Sequence, residues 1–382
     1  MITLDNLTKT FGPPENPVVA VDRVSMEVQQ GDICILLGPS GCGKTTTLKM
    51  INRLIPKTSG KIFVGGRDTD ALDAVELRRT MGYAIQQIGL FPNMTVEDNI
   101  CVVPRLLKWS DATARRRAAE LLEMVALDPA VFLRRYPREL SGGQQQRVGV
   151  ARALAADPPV MIMDEPFGAI DPINREIIQD EFLRLQQTLR KTIMFVSHDI
   201  DEAAKMGDRI ALFRNGRLEQ FDTPNNVLAH PANGFVADFV GADRALKRLR
   251  LLFVREAVDG AAPAVDSTDP LDRAVQLMRE HGHERIVVLD ATRRPVGQLR
   301  LPIIEGCHGT CAERIEALQA TVTPEDDLRI AVSRMFTHDT VWLVCIDGDG
   351  RFAGHVTQRG ITRLLGKTHR APAQAIPRES VA

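Results

Sequence analysis

The residues best suited to chemistry lie in Gly38-Pro39-Ser40-Gly41-Cys42-Gly43-Lys44-Thr45-Thr46. This is the G-x-x-x-x-G-K-T pattern that binds polyphosphates. Glycines without a Cβ let backbone N–H groups turn inward around phosphate oxygens. Gly38, Ser40, Gly41, Gly43 and Thr46 are the expected cradle, with Lys44 reaching the β- and γ-phosphates and the Thr45 hydroxyl on Mg²⁺. Two acids, Asp164 and Glu165, close the apolar run that starts at Pro159. Asp164 suits the Mg²⁺ shell, because hard oxygen ligands suit that ion. Glu165, one residue on, points elsewhere and can orient or deprotonate an attacking water. His198 ends another apolar run and can donate to a γ-phosphate. Gln86, in Ala84-Ile85-Gln86-Gln87, can hold the water or the Mg²⁺. Together these groups would serve phosphoryl transfer, which needs positioning and charge stabilisation more than covalent chemistry. Taken singly, a histidine after a strand is a structural residue, an Asp-Glu pair is a turn, and Phe11 is core.

These groups need rigid elements to hold them. Asp32-Ile33-Cys34-Ile35-Leu36-Leu37 reads as a buried strand entering the glycine-rich loop, and the helix leaving it ends near Pro56. Short strands are predicted around Val18–Val21, Val24–Val28, Gly60–Gly66 and Gly82–Gln86. Residues 95–156 change character, with Ala, Arg, Glu and Leu at helical spacing from Ala114 to Met124, and read as a helical insertion. Ser141 is placed as the N-cap of a helix running to Ala156. Pro159–Glu165 and Thr192–His198 are strands flanking a helix over Ile173–Leu189, and 224–250 reads as helical. Strands alternating with helices argue for a mostly parallel sheet.

Composition narrows the class. A chain of 382 residues should hold two or three domains. Its net charge of −1 gives no sign of a nucleic-acid partner. The first residues show no secretory signal, and no run of about 18 apolar residues would span a membrane. Six scattered cysteines fit a reducing compartment, Cys307 and Cys311 included as free thiols.

Residues 265–366 contain a repeat. Leu271 matches Leu328 at an offset of 328 − 271 = 57, and the same offset pairs Val265 with Val322, Asp269 with Asp326, Met278 with Met335, Asp290 with Asp347 and Gly297 with Gly354. Each copy reads helix, strand, turn, strand, and two copies would pack as a pair.

The first 243 residues resemble the ATP-binding subunit of ABC transporters. The resemblance rests on the phosphate loop, the Gln86 loop, Leu140-Ser141-Gly142-Gly143-Gln144, the Asp164-Glu165 strand, Ala169-Ile170-Asp171 and His198, all in order. It implies an α/β fold with a mixed-sheet core and a helical subdomain. It also implies an adenine stacked on Phe11, and two ATP molecules in a head-to-tail dimer in which Ser141, Gly142, Gly143, Gln144 and Asp171 meet the nucleotide of the second chain. Residues 263–366 resemble a tandem pair of CBS domains. Many such pairs bind adenosine nucleotides with a Ser or Thr and an Asp three residues later. Thr357-Gln358-Arg359-Gly360 has Gly in that place, and Gly297-Gln298-Leu299-Arg300 keeps neither residue. Regulation and a purely structural or dimerising role both stand, and a basic surface of Arg244, Lys247, Arg248, Arg250, Arg293, Arg294 and Arg300 is expected to sense ionic conditions. The implied boundaries are 1–243 for the ATPase domain, 244–262 for a linker, 263–366 for the CBS pair, and 367–382 for a disordered tail.

The combination resembles the ATP-binding subunit of importers for glycine betaine, carnitine and choline. That implies two integral-membrane permease subunits, an extracytoplasmic solute-binding protein and a peripheral position on the cytoplasmic face of the plasma membrane. An importer for an amino acid or polyamine and a non-transport ABC ATPase are the alternatives. The loop from Gln86 to Asn99, with its apolar stretch Ile88–Pro92, and the helical insertion behind it are expected to dock on the membrane subunits.

Overall fold

Polar and apolar residues alternate along Ile2–Phe11 (β1) and Val18–Val28 (β2), which pair antiparallel with one face buried. Ile33–Leu37 (β3) is buried at every position and leads into the glycine-rich loop, from which Lys44–Ile51 (α1) departs. Ser59–Val64 (β4) and Arg67–Asp68 (β5) complete a four-stranded sheet in the order β2-β1-β4-β5. Ala74–Arg79 (α2) precedes Met81–Ala84 (β6). Four helices follow, Val96–Leu106 (α3), Asp111–Met124 (α4), Pro129–Phe132 (α5) and Gly142–Leu154 (α6). The chain then runs through Val160–Asp164 (β7), Pro172–Leu189 (α7), Thr192–Val196 (β8), Ile200–Met206 (α8), Arg209–Arg214 (β9) and Arg217–Asp222 (β10). Pro224–Ala229 (α9) and Gly234–Val240 (α10) end this part.

The second sheet has six strands in the order β10-β9-β3-β8-β7-β6, parallel except for β10. Its central strands β3, β7 and β8 are buried throughout, as strands covered on both faces must be. Their carboxyl ends lie side by side, which is where ligands bind in open α/β sheets.

The computed structural model describes residues 1–84, 89–168 and 170–367, and its two units divide at Met1–Ala242 and Asp243 onward. Gln86, Ala169 and the expected tail from 368 lie outside the described residues. The helix after the phosphate loop is shorter than its sequence suggests, because Arg53 turns left-handed (φ 50°) just past its end. The stretch 224–250 is three separate helices, interrupted by the Asn233 cap and by Gly241 at φ 88°.

The second unit begins with Arg244–Arg248 (α11) and Val254–Ala257 (α12). Then come Ala264–Asp266 (β11), Leu271–His281 (α13), Arg285–Leu289 (β12), Pro295–Arg300 (β13) and Leu301–Ile304 (α14). The second copy is Thr321–Val322 (β14), Leu328–Thr337 (α15), Trp342–Ile346 (β15), Phe352–Thr357 (β16) and Gln358–Lys367 (α16). Each copy forms a three-stranded sheet, and Val287 and Leu289 of one sheet share an apolar cluster with Trp342 and Val344 of the other.

The stretch 244–262 is not a linker in this structure. Leu249, Leu252 and Val254 are buried in the core of the second copy with Val322, Leu328 and Met335. The 57-residue offset reaches back into this stretch. The Val254 N–H donates to Asp326 O (2.9 Å) as the Cys311 N–H donates to Asp269 O (2.8 Å). Glu256 accepts from the Phe253 N–H as Glu313 accepts from the Thr310 N–H. The bridge between Asp259 and His355 repeats as the bridge between Glu316 and Gln298. Each copy therefore lends its leading segment to the other. Gly297 and Gly354 are the points of closest approach. A Cβ there would lie 2.6 Å from Glu316 O and 2.4 Å from Asp259 O.

Candidate functional site

The phosphate loop is shaped by two glycines whose Cβ atoms could not exist. At Gly38 (φ 140°) a Cβ would lie 2.3 Å from Phe213 O, and at Gly43 (φ 105°) 2.4 Å from Ala20 O. Gly43 is the N-cap of α1 and offers no side-chain acceptor, so the first N–H groups of that helix remain open for an anion. A cavity of about 240 Å³ lies over this end, lined by Ser40, Gly41, Cys42, Gly43, Lys44, Thr45, Thr46, Glu165 and His198.

Lys44 is folded back into the loop. Its Nζ donates to Gly38 O (2.7 Å) and Pro39 O (2.9 Å), contacts with which phosphate oxygens would compete. The Thr45 hydroxyl donates to Asp164 Oδ1 at 3.0 Å, joining the loop to the end of β7. Burial pushes the Asp164 carboxyl above its ordinary range, and the charge of Glu165 adds to this, while Thr45, Lys49 and Lys44 oppose it. A hydroxyl beside a buried carboxylate is the hard-oxygen pair that Mg²⁺ takes, so the residues present fit the ion. Glu165 follows at φ 50°, a left-handed conformation that swings its side chain away from Asp164. His198 Nε2 donates to Glu165 Oε1 at 2.6 Å, so this histidine engages the carboxylate.

The other expected residues lie outside that cavity. Phe11 is 43% exposed at the end of β1, with the Lys9 ammonium 4.7 Å from its ring centroid, so it is not a core residue. Ser141 caps α6 through a reciprocal box in which Gln144 Nα donates to Ser141 Oγ (3.3 Å) and Gln144 Oε1 accepts from the Ser141 N–H (2.9 Å). Gln144 therefore braces the helix start. Ser141, Gly142 and Asp171 are exposed, and Gly143 is half-buried.

Three residues of α6 and α3 with site-directed contacts carry no motif of their own. Gln146 Nε2 donates to Glu165 O (3.2 Å), and Arg152 donates to Gly89 O (2.7 Å). Asn99, fully buried, donates to Phe91 O, Met94 O and Thr95 O and accepts from the Phe91 N–H. It fixes the loop on which Phe91 and Met94 stand exposed. The helical period at Gln146 and Asn99 marks an inward face, and that was their only signal.

In the second unit the Thr357 hydroxyl accepts from the Gly360 N–H (2.9 Å), serving as a helix cap. The basic surface is smaller than its sequence implies. Arg248 is 1% exposed and donates to Leu365 O, Lys247 pairs with Asp243, and Arg300 grips Glu316 with two hydrogen bonds. Cys311 is buried, and the Cys307 thiol donates to Ile303 O. Among the described residues no helix is long and apolar enough to cross a membrane.

The ABC transporter family model matches residues 21–168, and the CBS domain model matches residues 254–301 and 319–367. The osmoprotectant import ATP-binding protein OsmV of Salmonella typhimurium is 53% identical over 97% of this chain and 98% of its own length. The choline transport ATP-binding protein OpuBA of Bacillus subtilis is 43% identical over 96% of both chains. A solved dimeric ATP-binding cassette in a post-hydrolysis state, bound to ADP and Pi, is 36% identical with a TM-score of 0.54, covering 59% of this chain and 99% of that one. The chain thus belongs to the ATP-binding proteins of ABC transporters, an ATPase carrying a tandem CBS pair in its second unit.

Proposed function

We propose that this ATPase drives uptake of a quaternary-amine osmoprotectant, glycine betaine, carnitine or choline. The solute class is supported by relatives matched along nearly their whole length, whose names specify osmoprotectant import and choline transport. Two membrane permease subunits and an external solute-binding protein are its partners in this reading, and the subunit works at the cytoplasmic membrane face. Two chains pair head to tail. This is supported by the separation of Ser141 and Gly143 from the phosphate cavity of their own chain, which leaves them to a partner's nucleotide.

The geometry that carries the hydrolytic reading is the convergence of Lys44, Thr45, Glu165 and His198 on one cavity, with Asp164 hydrogen-bonded to the Thr45 hydroxyl. ATP phosphates draw Lys44 from the loop carbonyls and take the open N–H groups of α1. Thr45 and Asp164, with Gln86 as a further ligand, would hold Mg²⁺, which would supply positive charge to the phosphate oxygens. Glu165 orients the water and takes its proton, while His198 holds the carboxylate and can turn to the γ-phosphate. Glu165→Gln should retain ATP and trap a long-lived dimer while turnover falls ~10²-fold or more, as for loss of a general base. Near-normal hydrolysis by that variant would overturn the assignment. For the solute, vesicles holding the complete transporter should accumulate glycine betaine, carnitine or choline. Uptake confined to an amino acid or polyamine would replace the solute class.

A further inference from the structure

We propose that Gln146 is a positioning residue for hydrolysis, its side-chain amide tying helix α6 to the main chain of Glu165 and so keeping that carboxylate in aim. The inference rests on the reading of Glu165 as the catalytic carboxylate.

Glu165 has a Cβ and sits at φ 50°, in a region that such residues occupy only when their surroundings impose it. Three contacts impose it. Its N–H donates to Val196 O (3.2 Å) on β8, its carbonyl accepts from the Gly168 N–H (3.2 Å) within the following turn, and the same carbonyl accepts from Gln146 Nε2 (3.2 Å). The first two are local to the sheet edge. The third comes from α6, in the helical subdomain. A carbonyl can only accept, so the amide orientation of Gln146 is fixed.

The other end of that amide shows what the residue is for. Gln146 Oε1 is buried and has no hydrogen-bond partner among the described residues. Gln146 lines a mostly apolar pocket together with Val150, Phe167, Ile170 and Phe182. An orphaned buried acceptor is destabilising, and a residue serving packing alone would be better apolar. The donor is what Gln146 supplies, in surroundings dry enough to strengthen it. Ser141 begins the same helix. A movement of α6 on meeting a second chain's nucleotide is therefore carried by one rigid element to the backbone of Glu165.

The test measures ATPase kinetics and thermal stability of the full chain. Gln146→Met should lower kcat roughly tenfold, since small misplacements of a catalytic group are costly. The KM for ATP should change by less than about twofold, and the Tm should hold or rise because the orphaned acceptor is gone. Gln146→Glu keeps the shape but loses the donor, and should fall at least as far. Wild-type kcat in both variants, with Glu165→Gln inactive, would overturn the inference and leave the role of Glu165 standing. A large Tm loss with KM and kcat failing together would show a merely structural residue and also overturn it. Normal hydrolysis by Glu165→Gln would remove the reading beneath it.

Discussion

At the scale of residues, the cleft at the phosphate loop includes side chains whose charge is costly to bury, and one such group outside the cleft makes this measurable. Glu202 on α8 is 9% exposed, and burial pushes its carboxyl above the ordinary range. Asp199 adds to that rise, while Ser197, Gln179 and Arg175 oppose it. Because the folded-state value is raised, the folded chain binds this proton more tightly than the unfolded chain does. Stability from this group is therefore lost as pH climbs from the ordinary value of 4.5 through the raised one. Glu202→Gln keeps an acceptor for Gln179, whose Nε2 donates to Glu202 Oε1 at 2.9 Å, and removes the charge. Its Tm should exceed that of the wild type at pH 8, with the gap closing as pH falls toward 4.5. A variant less stable than the wild type at pH 8 would contradict this. The cleft residues themselves were legible in the sequence, since Lys44, Thr45, Asp164, Glu165 and His198 stand in motifs with fixed spacing. What Lys44 and His198 touch was not, because spacing encodes the groups and leaves their partners unspecified. Gln146 and Asn99 were illegible for a related reason. Both bond to backbone carbonyls, Gln146 to that of Glu165 and Asn99 to those of the loop just before its helix, and a carbonyl carries no sequence signature.

At the scale of elements, the loop before α3 shows how one side chain substitutes for regular structure. Asn99 makes four hydrogen bonds to main-chain groups of Phe91, Met94 and Thr95, and it is fully buried. Removing it takes the partner from the part-buried Phe91 N–H and Met94 O, while Phe91 O and Thr95 O keep main-chain donors, at ~1–3 kcal/mol for each group left unpaired. Asn99→Ala should therefore destabilise the first unit by roughly 2–4 kcal/mol. Hydrogen exchange should rise first at residues 91–95, with β3 and β8 protected. Uniform loss of protection across the unit would contradict a local role. Element types were read well where periodicity was strong, as in α4 and α6, and where a strand was buried throughout, as in β3, β7 and β8. Boundaries failed where the chain bends without Gly or Pro, as at Arg53 (φ 50°), because a left-handed arginine is invisible in the sequence.

At the scale of the whole chain, the 57-residue repeat was visible from its helices and strands, but its leading segment was hidden. Val254–Ala257 and Cys311–Arg314 share only a glutamate and an apolar start, Val254 matching Cys311 and Glu256 matching Glu313. Their equivalence is carried by backbone bonds, so 244–262 read as a linker. The structure places Leu249, Leu252 and Val254 in the core of the second copy. Burying one such side chain contributes about 1.5–3 kcal/mol, so the three together contribute roughly 5–9 kcal/mol. Where the chain is cut therefore decides what folds. A chain ending at Ala242 keeps the core of the first unit and should remain monodisperse in size exclusion. A chain ending at Val258 carries the same three apolar side chains stripped of their partners, and should bind a hydrophobic dye and self-associate. The complementary pieces should diverge too. Residues 243–382 should unfold cooperatively in urea, whereas residues 259–382 lack the segment that closes the second copy. That loss is a large fraction of the 5–15 kcal/mol that stabilises a typical domain, so the shorter piece should lose most of its cooperative transition. Equal urea midpoints for the two pieces would mean that the leading segment contributes nothing to the fold.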